Sequence, residues 1–164
     1  MNSIRKKREL GKTYLYEEDK PVNSFKVFFN TVSEDVEGLC ITRANPNDLK
    51  KSFPVLGKST RIIWLTDVDS TDVTIDPNEV ERLSAIITDF IYECLNKNSE
   101  SIILLDGIEY IISRTSFVQT LQVIHHIKDI VSMYNTNLII PLSPQAIDIK
   151  ELKQLERELE IVRF

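Results

Sequence analysis

Apolar runs rich in β-branched residues alternate along this chain with stretches whose apolar positions recur every three or four residues. The first pattern predicts strands and the second amphipathic helices. Lys12–Glu17 reads as a first strand. A helix follows over Pro21–Val36, with Val22, Phe25, Phe28, Phe29 and Val32 along one side. Gly38–Arg43 is a second strand, Pro46–Phe53 a short helix and Thr60–Thr66 a third strand. Pro77–Asn96 predicts a long helix, with Val80, Leu83, Ile87, Phe90, Ile91 and Cys94 on one face. Ser101–Asp106 is the fourth strand, Ser116–Tyr134 another long helix, and Thr136–Leu142 the fifth strand. Lys150–Glu160 is a last, heavily charged helix, and Ile161-Val162-Arg163-Phe164 has the apolar content of a further short strand.

Capping signals support these boundaries. Asp76-Pro77-Asn78-Glu79 combines an N-cap Asp, a Pro at the first helical position and a Glu that completes a capping box. Asn45-Pro46 and Ser143-Pro144 repeat the cap-then-Pro device, and Asp148-Ile149-Lys150-Glu151 is a second capping-box pattern.

The second to fifth strands are nearly continuous apolar runs rather than alternating ones. Strands covered on both faces read this way. Alternation of strand and helix then predicts an α/β three-layer sandwich: a mostly parallel five-stranded sheet with helices on both faces. Residues 1–10 are expected to form a flexible basic arm and 11–164 a single domain.

The chain has 164 residues, 42% of them hydrophobic, which suffices for one sizeable core. No apolar run approaches the roughly 20 residues of a membrane helix, and the start lacks a signal peptide's apolar stretch. Cys40 and Cys94 are too few for a disulfide framework and are expected to be buried small hydrophobes in a cytoplasmic protein. The net charge is −5, unevenly spread. Residues 1–10 carry +3 from Arg5, Lys6, Lys7 and Arg8 against Glu9, so the remaining body carries −8. An acidic body disfavours nucleic-acid binding except through that arm.

Candidate chemistry centres on the fourth strand, which ends Leu105-Asp106-Gly107-Ile108-Glu109. In P-loop nucleotidases such a strand delivers an Asp to magnesium and phosphate. The glycine-rich loop that must accompany it is missing. Gly57-Lys58-Ser59-Thr60 and Gly11-Lys12-Thr13 each lack the earlier Gly, and each is followed by a strand where the motif needs a helix. Asp67-Val68-Asp69-Ser70-Thr71-Asp72 fails as a calcium loop, with Asp72 where Gly is required and Asn78 where Glu is required. A phosphoacceptor receiver fits loosely at Glu17-Glu18-Asp19, but its Lys after the fifth strand is absent. His125 and His126 are adjacent, not at the i, i+4 spacing of helical zinc ligands. Neither a catalytic residue nor a metal site nor a cofactor is therefore expected. Ligands of open α/β sheets bind at the carboxyl ends of strands. Arg43, Asp67, Asp106 and Glu109 fall there and form the candidate ligand-binding crevice.

Several segments resemble an archaeal family with no assigned activity, the domain of unknown function 835 family. They are Tyr14-Leu15-Tyr16-Glu17-Glu18, Gly38-Leu39-Cys40-Ile41-Thr42-Arg43, Ile63-Trp64-Leu65-Thr66-Asp67, Leu104-Leu105-Asp106-Gly107-Ile108-Glu109-Tyr110 and Leu155-Glu156-Arg157-Glu158-Leu159-Glu160. The resemblance implies an archaeal source, a domain often appended to membrane or sensory modules, and a degenerate relative of RecA-like ATPases. In that relative Asp106 is the remnant of a Walker B strand, and the eroded phosphate loop falls at Glu17–Ser24, which contains no Gly. On such a scaffold the first and fourth strands are expected to be central and the second near an edge. The resemblance brings no catalytic residues with it.

These readings predict a non-enzymatic regulatory or protein-interaction module, linked to signalling and acting as a free-standing partner protein, with self-association open to it. The alternative is a sensor that binds a nucleotide or small anion in the crevice.

Overall fold

The structure is a computed structural model in which residues 9–53 and 59–164 are described. The basic residues Arg5–Arg8, and Gly57-Lys58 of the second Gly-Lys segment, lie outside them. Among the described residues seven strands form one sheet: β1 (Thr13–Glu17), β2 (Val36–Thr42), β3 (Thr60–Leu65), β4 (Thr74–Ile75), β5 (Glu100–Leu105), β6 (Asn137–Leu142) and β7 (Glu160–Arg163). Their spatial order is β4-β3-β2-β5-β6-β1-β7, and every pairing is parallel. The helices are α1 (Asn23–Thr31), α2 (Pro46–Ser52), α3 (Arg82–Asn96), α4 (Ile108–Arg114), α5 (Phe117–Met133) and α6 (Ile149–Glu158).

Successive side chains of a strand face opposite sides, and β2 shows the consequence. Leu39 and Ile41 enter one apolar cluster with residues of α3, α4, α5 and α6. Cys40 enters a second with Phe25 and Phe28 of α1 and Leu49 of α2. The sheet is thus sandwiched between helices, and β2, β5 and β6 are buried almost throughout. Two-sided burial is why their sequences read as unbroken apolar runs. Gly38 marks the closest approach of α1: a Cβ there would lie 2.6 Å from Val32 Cγ2 and 2.8 Å from Phe28 Cζ.

Several expectations need correction. The sheet has seven strands, not five, because β4 and β7 extend it at its two edges. β4 is only two residues long and leaves no periodic signal. The fourth predicted strand, β5, is central, but β1 lies next to the edge strand β7. β2 lies inside, between β3 and β5. The reason is β6, which pairs with both β5 and β1 and so separates them. The long helix expected from Pro77 begins at Arg82. Asp76 instead caps a local turn, accepting the N–H of Asn78 at 2.8 Å. The first helix is shorter at both ends than Pro21–Val36. Asn45 and Asp148 do cap their helices, accepting the N–H of Asn47 and Lys150. Ser143 does not cap; Pro144–Ala146 form a single 3-10 turn.

The topology opens a crevice at one place. From β2 the chain passes through α2 toward β3; from the adjacent β5 it passes through α4 and α5 toward β6. Neighbouring strands whose connections depart in opposite directions leave a gap above their carboxyl ends, where ligands of α/β proteins bind.

Candidate functional site

The gap above β2 and β5 is a crevice of about 470 Å³. Arg43, Asp106 and Glu109 line it together, and Glu18, Asp19 and Tyr110 join them. Asp67 is not part of this lining. It pairs with Arg114 of α4 at 2.7 Å. That guanidinium holds the Asp67 carboxyl below its ordinary range.

Asp106 sits at the floor. Its N–H donates to Ile41 O at 2.8 Å, which extends the β2–β5 pairing by one residue. Its carboxylate accepts the Thr42 hydroxyl at 2.7 Å, and the Thr42 oxygen in turn accepts the N–H of Ala44 at 2.9 Å. Burial pushes the Asp106 carboxyl above its usual range, and the nearby Glu109 adds to the rise; Thr42 and Arg43 pull the other way.

Gly107 follows with φ +115°. This conformation lets the chain turn directly from β5 into α4. A side chain there would also collide with Arg43, whose Cγ would lie 2.7 Å from the new Cβ. Asp-Gly reads locally as a turn, so α4 was legible only as a strand end. Within α4, Glu109 accepts the N–H of Ser143 at 2.9 Å and ties the helix to the exit of β6.

Arg43 is held rather than free. Its Nη1 donates to Leu65 O at 2.8 Å. Its guanidinium lies 3.8 Å above the ring centre of Tyr110, a cation–π stack. Tyr110 also receives an N–H from Arg114 at 3.0 Å.

Glu18 closes the other wall, and its arrangement is the one sequence reading missed. Oε1 accepts the N–H groups of Val22 and Asn23 at 2.6 and 2.8 Å, and Oε2 accepts that of Ser24 at 2.9 Å. The amino end of α1 is therefore occupied by a carboxylate of the same chain. The available signal was an acidic residue between a strand end and a Pro-led helix start.

The remaining candidates fall elsewhere. At Gly11-Lys12-Thr13 the backbone runs straight into β1, and the Lys12 N–H donates to the Asn137 side chain. Among the described residues no group of three or more His, Cys, Asp or Glu side chains could hold a metal ion. No helix among them is long and apolar enough to cross a membrane. Cys40 and Cys94 are both buried. Burial raises both thiols, that of Cys94 to about 12.

Comparison with known proteins places the scaffold. A solved structure from Pyrococcus horikoshii OT3, described as "Structural study of Project ID PH0250", superposes with a TM-score of 0.60 at 11% identity. The match covers 95% of this chain and 83% of that one, a likeness of fold alone. No curated protein matches the sequence. The family model described as "Protein of unknown function (DUF835)" matches residues 17–159, from the end of β1 to the end of α6. The chain belongs to the DUF835 family.

Proposed function

We propose that this protein is a non-catalytic interaction module on a parallel α/β scaffold whose first strand-to-helix turn carries an internal carboxylate where a nucleotidase carries its phosphate loop. The observation that carries this reading is the Glu18 carboxylate on the N–H groups of Val22, Asn23 and Ser24. A nucleotidase uses the amides of its first strand-to-helix turn, with the dipole of the following helix, to hold phosphate. Here an internal anion takes them, and any phosphate would have to displace it. Asp106 keeps the strand-end position of a magnesium ligand, yet it is buried and one of its carboxylate oxygens accepts the Thr42 hydroxyl.

The second reading, a sensor for a nucleotide or small anion, rests on Arg43, the one cation in the crevice lining among the described residues. Its guanidinium already serves Leu65 O and Tyr110, which ranks this reading below the first.

A thermal-shift screen against nucleotides, cyclic nucleotides and phosphate, with and without magnesium, separates the two. A ligand present at 100 times its Kd adds about 2.7 kcal/mol of stability, which is readily seen. The interaction module predicts a flat screen and no turnover of ATP or GTP. Hydrolysis abolished by Asp106→Asn would overturn it. Stabilisation by a nucleotide that Arg43→Ala removes would establish the sensor.

A further inference from the structure

A second hollow, of about 220 Å³, adjoins the crevice. Both are lined by Pro21, Ala44 and Asp106, so they form one groove with Asp106 at its middle. The two arms differ in chemistry. On the crevice side Asp19 and Glu109 accompany Asp106, and Pro141 and Leu142 supply apolar wall. On the other side the lining is mainly apolar, from Phe25, Leu49 and Phe53, with Asp48 the one added charge.

An anion entering this groove would meet carboxylates from three elements and an arginine that is already engaged. A cation would meet unspent carboxylate oxygens: Asp19 is exposed, and Glu109 has given only one oxygen to Ser143. A small inorganic cation gains little from the apolar walls. A long aliphatic side chain with a charged tip gains from both, its stem on apolar surface and its head on carboxylate. The hollow beyond Asp106 then suits an apolar neighbour of that side chain.

We propose that the groove at the carboxyl ends of β2 and β5 receives a lysine or arginine side chain of a partner protein, with an adjoining apolar residue seated in the hollow between α1 and α2. This rests on the interaction-module reading and names the chemistry of its partner.

The test uses the intact chain and two blocked hexapeptides. One carries lysine followed by phenylalanine, and the other carries glutamate in place of the lysine. Binding is read by fluorescence anisotropy at low and high salt, beside parallel measurements with inorganic phosphate and an ATP–magnesium turnover assay. The lysine peptide should bind, the glutamate peptide should not, and affinity should fall with salt. Asp106→Asn and Asp19→Asn should each weaken binding about tenfold. Asp106 is buried, so circular dichroism must show that its variant is folded; the exposed Asp19→Asn carries the test if it is not. Equal binding of both peptides, no binding of either, indifference to Asp19→Asn, or a preference for phosphate would overturn the inference. In those cases, absence of turnover leaves the non-catalytic reading standing. Turnover lost in Asp106→Asn would overturn that reading as well.

Discussion

The Thr42 hydroxyl donates to the Asp106 carboxylate at 2.7 Å, joining two buried side chains 64 residues apart in sequence across the β2–β5 seam. This one bond sits at the point where the connections of the two strands part. It fixes the floor of the crevice and occupies one oxygen of the Asp106 carboxylate.

Asp106 sets a pH dependence. Its folded pKa is raised, so the folded state binds its proton more tightly than the unfolded chain does. The stability it contributes is complete below its ordinary value of 3.8 and is lost as pH rises through the raised value. Urea denaturation from pH 3.5 to 7 should therefore show wild type losing stability relative to Asp106→Asn. A difference between the two that does not change with pH would refute this.

Removing Glu18 should uncover the amino end of α1. Glu18→Ala leaves three N–H groups without their carboxylate, and loss of a helix cap costs about 0.5–2 kcal/mol. Sulfate or phosphate should recover part of that loss in the variant and none in wild type, because a free anion can occupy the vacated amides. Chemical denaturation with and without added phosphate reads both effects. Unchanged stability in Glu18→Ala would show that the carboxylate is incidental.

Gly107 is constrained twice. Its φ of +115° disfavours any side chain, and a Cβ would approach Arg43 Cγ to 2.7 Å and Leu65 Cδ2 to 2.9 Å. Gly107→Ala should cost about 2–4 kcal/mol, combining backbone strain with overpacking. The displaced Arg43 should also leave Tyr110, which a change in tyrosine fluorescence or ring chemical shifts would report.

Gly38 is constrained by packing alone. Gly38→Ala pushes a methyl against Phe28 Cζ and Val32 Cγ2 and should cost about 1–3 kcal/mol. Phe28→Leu frees space at the same spot. If the contact is the cause, the double variant should be more stable than the sum of the two single losses. Additive losses would place the cost elsewhere.

The element types were readable because their causes are local. Burial on both faces leaves an apolar run in β2, β5 and β6, and a helix packed on one side repeats every three to four residues. Asn45 and Asp148 cap helices two residues away, and a spacing that short is visible in the chain. Three of the four predicted crevice residues, Arg43, Asp106 and Glu109, were legible because the ends of parallel strands share one side of the sheet. The order of those strands was not legible. Nothing near Thr13–Glu17 says that β6 will stand between β1 and β5, since β1 pairs with β6 across more than a hundred residues of chain. Asp67 left the crevice for the same reason. Its partner, Arg114, is 47 residues away on a helix that an Asp-Gly turn concealed. Local chemistry thus determined what each segment is and which end of the sheet carries the polar residues. Tertiary packing alone decided which of those residues meet, because pairing between distant segments depends on distances that the order of residues along the chain does not contain.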